Sequence, residues 1–458
     1  EVIEIIGFNI MRKKITMTPT QIIVIGFASM ILIGTLLLNM PMASRNGQPV
    51  GLINSLFTAT SSVCVTGLVV VDTGTYWTAF GQVVILLLIQ IGGLGFMTMS
   101  TLLSLLLGRR ITLKERLLIQ ESLNQFDLEG LVRLTKNIII ATIIIEFIGA
   151  IVFTIAFIPD YGLRKGIAFG VFHAVTSFCN AGFDLIGGFR SFTPYVDSCI
   201  ININTMFLII IGGLGFSVWM DIYEAIKERG MRNVTLHSKV VVSTTIILIL
   251  TGALFIFIME FNNPDTIKKL SLSGKLLASF FQSVSPRTAG FNTLDMAVLK
   301  TPTKLVTIIL MVIGGSPGST AGGIKTATAA ILFLTVISVI KGKEDTEVFG
   351  RHLPKYLVYR AMSVSLISLS LIVIVTMLLS ITEGADFMTV LFEAASAFGT
   401  VGLTLGYSPN LSTFGKLIIS MTMFAGRVGP LTIVLALARR AISNRGNVKY
   451  PEDRIMVG

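Results

Sequence analysis

Along the chain, long apolar windows alternate with short apolar runs, each of which ends in a glycine turn. The window 21–40 is nearly free of charge, and comparable windows cover 78–107, 137–158, 200–219, 240–259, 303–313 with 324–340, 357–380 and 413–437. Most approach the ~20 residues that a helix needs to cross a bilayer, so eight hydrophobic elements are expected. Between them lie runs too short to cross, at 52–63, 167–178, 276–286 and 390–398. These runs lead into Val65-Thr66-Gly67, Asn180-Ala181-Gly182, Thr288-Ala289-Gly290 and Thr400-Val401-Gly402, whose glycines are 115, 108 and 112 residues apart.

The register holds on both sides of the turns. Ten residues before the glycines stand Phe57, Phe172, Phe280 and Phe392; Gly92, Gly212, Gly314 and Gly426 follow by 25, 30, 24 and 24, and residues 91–96 repeat word for word as 211–216. A single short run would be explained by a surface helix and loop. Four in one register predict an all-α polytopic membrane protein with four tandem helix/re-entrant pore-loop/helix repeats in one chain, arranged around a central pore. The expected divisions are an N-terminal segment (1–18), repeat 1 (19–108), repeat 2 with its preceding connection (109–235), repeat 3 (236–341), repeat 4 (342–440) and a tail (441–458).

Composition agrees with this. At 53% hydrophobic residues, 13% charged ones and a mean hydropathy of +0.81, the apolar side chains exceed what one water-soluble core could bury. A net charge of +11 would suggest nucleic acid in a soluble protein. Here the basic residues sort by side instead: with the N-terminus inside, 23 Lys and Arg fall in the termini and even-numbered connections, 11 in the others and two, Lys325 and Arg427, in apolar segments. That bias puts both termini in the cytoplasm, although the third outer connection, counted with Arg287, runs against the rule. Cys64, Cys179 and Cys199 have no metal-ligand spacing and read as buried free thiols. The cluster Arg12-Lys13-Lys14 leads into a run long enough to anchor itself rather than be cleaved, and Met11 is an alternative start to Glu1.

In hydrocarbon, an unpaired backbone polar group costs several kcal/mol, so extended backbone persists only where protein encloses it or water lines it. Four glycine turns around one axis meet that condition together. Their carbonyls can replace the hydration shell of a cation, and glycine reaches conformations closed to other residues.

At this point the sequence resembles the Trk/Ktr/HKT superfamily of potassium uptake proteins, and within it the membrane subunit of bacterial Ktr systems. The resemblance covers nearly the whole chain and is carried by Val65-Thr66-Gly67-Leu68, Asn180-Ala181-Gly182-Phe183, the stretch from Pro286 to Asn292 and that from Ala397 to Leu403. It implies a selectivity filter formed by Val65, Thr66, Gly67, Asn180, Ala181, Gly182, Thr288, Ala289, Gly290, Thr400, Val401 and Gly402, with K+ at the four glycines. Some plant relatives that favour sodium carry Ser at the first filter position, where this chain has Gly67, so potassium is the expected cargo. It further implies a homodimer in the bacterial cytoplasmic membrane, Na+ as a candidate activator, and a cytosolic ring of the RCK/KTN type that binds ATP or ADP. The tail from Lys449 to Gly458 resembles a dimer-interface segment. Lipids are the other partner, and no nucleic acid is expected.

The third repeat departs from the rest at Gly314-Gly315-Ser316-Pro317-Gly318-Ser319-Thr320-Ala321-Gly322-Gly323. Continuous helix there would cost about 1 kcal/mol per glycine and about 3 for the proline, so a break is predicted. A kink that packs helices closely is the plain explanation; the resemblance implies a gating loop. Arg427, a charge inside an apolar segment, needs a partner or water, and by resemblance it faces the pore and contacts that loop. A structural ion pair is its alternative.

Lys325 could hold the far end of the loop or face the vestibule. Glu146 needs a partner or else protonation, and Asp72 and Asp295, each five residues past a glycine, could concentrate cations or simply cap turns. Gly92-Gly93-Leu94-Gly95 and its twin sit inside apolar helices and pack closely, with no strand to make them a phosphate loop. No nucleophile, base and orienter stand together, so an enzyme has little support. The rival reading is a secondary transporter with a midplane solute site, which would show saturable uptake of an organic solute and no rubidium conductance.

Overall fold

The computed structural model describes residues 18–95, 131–230, 233–430 and 432–433, with isolated positions between 98 and 120. The Arg12-Lys13-Lys14 cluster, Met11 and the tail 441–458 lie outside the described residues. Each repeat opens with a peripheral helix, Pro19–Leu38, Leu131–Phe178, Leu236–Glu260 or Lys355–Thr382. A half-helix follows: Leu52–Val63, the limb of Leu131–Phe178 beyond the kink at Gly162, Leu272–Val284 and Phe387–Gly399. A central helix closes each repeat, Ala79–Leu94, Cys199–Leu214, Thr301–Val312 and Thr413–Val428.

Short polar side chains set where these helices begin. Thr18 and Thr235 cap peripheral helices, Ser271 and Asp386 cap half-helices, and Thr78, Ser198 and Ser412 cap central ones, each accepting the amide three residues on. Each cap contributes about 1 kcal/mol. The packing is cyclic: Ala79–Leu94 lies on Leu131–Phe178, Cys199–Leu214 on Leu272–Val284, Thr301–Val312 on Phe387–Gly399, and Thr413–Val428 returns to Leu52–Val63. The periphery exposes Leu32, Leu36, Phe147, Leu366 and Met377. Such a surface is unfavourable in water and is the natural face toward lipid.

Among the described residues, four helices are long and apolar enough to cross a membrane, and Cys199–Leu214 with Phe216–Lys227 makes a fifth span if their 91° bend is allowed. The central helices are shorter than the eight-span expectation because each is interrupted. Three stop at glycines in the left-handed region, Gly95 (φ 85°), Gly215 (φ 96°) and Gly429 (φ 94°), where a side chain would be strained. Helical bonding resumes at once, from Met99 N to Gly95 O, Trp219 N to Gly215 O and Ile433 N to Gly429 O, at 3.3, 3.3 and 3.2 Å. In the third repeat the interruption instead runs from Ile313 to Lys325, and the helix restarts as Thr326–Ile340. The break expected in the third repeat alone is thus an enlarged form of one found in all four. The Gly92 to Gly95 and Gly212 to Gly215 stretches are final helical turns before a bend, not helix interiors.

The glycine register downstream of the turns has a packing cause. A Cβ added to Gly92, Gly212 or Gly426 would strike the carbonyl of Val63, Phe178 or Phe398, at the end of the half-helix in the same repeat. The aromatic register is looser, since Phe57, Phe172 and Phe392 are buried whereas Phe280 is half-buried and its neighbour Phe281 is fully buried. An antiparallel hairpin, Thr346–Val348 with Arg351–Leu353, joins the third and fourth repeats.

Candidate functional site

The four half-helices aim their C-terminal ends at one place, and the chain then turns through a common backbone shape. Val65, Asn180, Thr288 and Thr400 have φ of 57, 58, 76 and 51°, and two residues later Gly67, Gly182, Gly290 and Gly402 have 91, 67, 79 and 96°. Left-handed residues alternating with ordinary ones turn the amides to one side and the carbonyls to the other. The amides go back into the half-helices: Thr66 N, Ala181 N and Val401 N donate to the carbonyls of Ser61, Thr176 and Ser396 at 2.7, 2.8 and 2.9 Å. In the third turn Ala289 N donates to Ser285 O at 2.9 Å. Among the described residues, no carbonyl of the four Xaa-Xaa-Gly turns accepts a hydrogen bond.

The turns meet in a closed ring. A Cβ on Gly67 would strike Ala181 O and lie 3.1 Å from Gly182 Cα; one on Gly182 would meet Ala289 O at 2.7 Å and Gly290 Cα at 3.0 Å. One on Gly290 would strike Val401 O and approach Gly402 Cα at 3.2 Å, and one on Gly402 would strike Thr66 O and approach Gly67 Cα at 3.0 Å. Glycine is therefore required twice at each position, by its φ and by the next repeat's backbone. The ring collects unpaired carbonyls and the negative ends of four half-helix dipoles, which together favour a cation.

The 314–323 loop lies against one rim of this ring. Gly314 N donates to Ile324 O at 2.9 Å and Ile324 N to Val312 O at 3.1 Å, closing its base. Ser316 N and Thr320 N donate to the carbonyls of Gly213 and Gly212 at 2.9 and 3.2 Å, and Phe216 N to Gly318 O at 2.8 Å, so the loop's carbonyls and amides are paired to the bend in the second central helix. A Cβ on Gly314 would lie 3.1 Å from Thr288 Cγ2, and one on Gly322 would strike Thr400, which puts the loop against the first residues of two turns. Arg427 reaches across: its guanidinium donates to Thr320 O and Gly92 O, and to Gly93 O at 3.1 Å. Among the described residues its partners are carbonyls and no carboxylate. A cavity of ≈ 330 Å³ opens on the far side of the loop, bordered by Pro317, Ser319, Lys325, Arg360 and Arg427.

A family profile described as TrkH, cation transport protein, matches residues 10–445. The chain belongs to the TrkH family of cation transport proteins. It is 43% identical to the Ktr system potassium uptake protein B of Bacillus subtilis, across 97% of this chain and 98% of that one. It is 41% identical to the potassium/sodium uptake protein NtpJ of Enterococcus hirae, across 98% and 100%. In three dimensions it matches the crystal structure of the potassium transporter TrkH from Vibrio parahaemolyticus with a TM-score of 0.72 at 19% identity, covering 93% of this chain and 86% of that one. The chain is thus an integral membrane protein of the TrkH fold.

Other charged residues in this TrkH-family chain find specific places. Lys325 holds the loop, donating from Nζ to Ala321 O at 2.6 Å. Glu146 accepts from Gln90 Nε2 at 3.2 Å. Asp72 accepts from Thr75 N and from Phe189 N of the next repeat, both at 2.8 Å, so it staples two repeats. Asp295 is exposed and accepts from Ala297 N at 2.9 Å. Arg287, counted with an outer connection, is instead buried at the inner end of its re-entrant half-helix, with Nη2 3.4 Å from Thr245 Oγ1. Cys64 and Cys179 are buried free thiols, whereas Cys199 is exposed.

Two groups were missed, the first of which the register could have revealed. Six residues before their glycines, Ser61 and Ser396 accept the amides of Gly67 and Gly402 at 3.0 and 3.1 Å. On the mouth side, burial and the neighbouring Asp72 push the carboxyl of Asp184 up to about 6.

Proposed function

We propose that the chain takes up potassium across the bacterial cytoplasmic membrane through a filter made of the four glycine turns. The observation that carries this is the closed ring of the turns at Gly67, Gly182, Gly290 and Gly402, whose carbonyls accept no hydrogen bond among the described residues while the amides of Thr66, Ala181, Ala289 and Val401 are tied back to the half-helices. Carbonyl oxygens held in that way replace the water of a cation without contributing net charge, so the cation can leave as well as bind. The names of the two bacterial relatives, one a potassium and one a potassium/sodium uptake protein, support the same cargo, with Na+ as a candidate activator.

In this reading the 314–323 loop is the gate and Arg427 its latch. The loop lies across the path between ring and cavity, and a guanidinium beside it adds an electrostatic barrier to a cation. Both termini are cytoplasmic, as the Lys and Arg bias favours. The working unit is a homodimer resting on a cytosolic nucleotide-binding ring of the RCK/KTN type; the naming of the Bacillus subtilis relative as part of a Ktr system supports a multicomponent assembly. Rubidium uptake into proteoliposomes tests the cargo: unlabelled potassium should compete strongly and sodium weakly. Uptake of an organic solute with no rubidium flux would instead support a secondary transporter.

A further inference from the structure

Nine residues before the ring glycines stand Thr58, His173, Phe281 and Glu393. The cyclic order puts the second and fourth repeats on opposite sides of the ring, and these carry the two titratable members, both fully buried. Glu393 accepts from Thr404 Oγ1, and from Ser408 Oγ at 2.8 Å. His173 has Nδ1 2.8 Å from Phe169 O and Nε2 3.3 Å from Leu185 N. A carbonyl only accepts and an amide only donates, so this geometry defines the neutral ring with its proton on Nδ1. The rings of Phe157 and Phe192 hold it with centroids 5.2 Å away.

Leu185 is three residues past Gly182 and Thr404 two past Gly402. Two chemically unlike side chains at one register thus reach the strand leaving the ring. At this register the first and third repeats offer no such tie among the described residues, since Thr58 turns back to Asn54 O at 2.9 Å and Phe281 has no polar atom; the third repeat is tied from another position, Ser285, whose Oγ donates to Phe291 O.

We infer that His173 and Glu393 are positioning residues that fix the width of the ring on two opposed sides and so set how strongly potassium is preferred over sodium. Carbonyls can discriminate ions of different radius only if the backbone resists closing on the smaller one. Ties from the half-helix to the exit strand supply that resistance behind Gly182 and Gly402, while Ser61 and Ser396 hold the amides of Gly67 and Gly402. This inference rests on the filter reading above.

The test is rubidium uptake into proteoliposomes with potassium and sodium as competitors, for the native chain and for Glu393→Ala, Glu393→Gln, His173→Leu, Thr58→Ala and Gly402→Ser. Loss of one buried hydrogen-bonded tie should lower potassium-over-sodium preference roughly three- to tenfold in Glu393→Ala and His173→Leu. Glu393→Gln, which keeps an acceptor, should restore most of it, and Thr58→Ala should match the native ratio. A native ratio in both Glu393→Ala and His173→Leu, with a lowered ratio in Gly402→Ser, overturns this inference and leaves the filter reading standing. A native ratio in Gly402→Ser overturns the filter reading itself. If Glu393→Ala does not fold, the ratio of His173→Leu decides alone.

Discussion

The guanidinium of Arg427, on the last central helix, donates to the main-chain oxygen of Thr320, in the loop that interrupts the third. The two residues are 107 positions apart in sequence, and Thr320 is itself bonded through its amide to Gly212 O in the second repeat. With its bonds to Gly92 O and Gly93 O in the first repeat, this side chain joins all four repeats, the second through Thr320.

If that tie keeps the loop closed, Arg427→Ala should open the pathway. Truncating one partner of a buried charged hydrogen bond costs about 1.5–3 kcal/mol, so the closed state should lose roughly ten- to a hundredfold of its advantage. Basal rubidium flux without any partner subunit is the measurement. Unchanged flux and unchanged regulation in Arg427→Ala would remove the latch from the account, and Arg427→Lys should be intermediate because it keeps the charge but loses the fork.

Gly215 is where the second central helix bends, and a Cβ there would lie 2.7 Å from Pro317 O in the loop. Gly215→Ala adds that clash to a left-handed backbone, which alone costs roughly 1–2 kcal/mol. The variant should melt at a lower temperature in detergent and leak rubidium. A variant that melts with the native chain would show that the bend is not fixed by glycine.

Asp184 sets an expected pH dependence at the mouth. Because its carboxyl is pushed up to about 6, it is charged above that pH and takes up a proton as the pH falls through it. Losing a negative charge near the ring lowers the local cation concentration, so uptake at low potassium should decline below about pH 6 on the Asp184 side. Asp184→Asn should be low and flat across the same range. A pH step that survives in Asp184→Asn belongs to another group.

Glu146 and Gln90 pair inside the membrane region, and Cys179 Sγ lies 3.6 Å from Gln90 Oε1. Glu146→Gln should be close to native in thermal stability, since the hydrogen bond persists. Gln90→Leu leaves the carboxyl without its donor and should destabilise by about 1–3 kcal/mol, read as a lower melting temperature.

Much of this was legible in the sequence because the repeat is written in its glycines. The positions of Gly67, Gly182, Gly290 and Gly402 follow from spacing alone, and the interruption at 314–323 from the cost of helix there. The cyclic order of the ring was not legible, because it depends on which neighbouring carbonyl each glycine faces. Nor were the bends at Gly95, Gly215 and Gly429: an apolar run with glycines reads equally as a tightly packed continuous helix. Arg287 was misplaced because charge counting follows connections, whereas a re-entrant half-helix carries its last residues back into the protein. His173 and Glu393 share a register but no chemistry, so no pattern of residue types linked them.

The central claim is that four equivalent glycines select the ion. It is tested most directly by rubidium influx into proteoliposomes for the native chain and for Gly290→Ser, with potassium and sodium as competitors. A side chain at position 290 would press on Val401 O and Gly402. Potassium should then compete much less effectively against rubidium in Gly290→Ser than in the native chain, and sodium relatively more. Identical competition by both ions in the two proteins would contradict a selectivity filter at this ring.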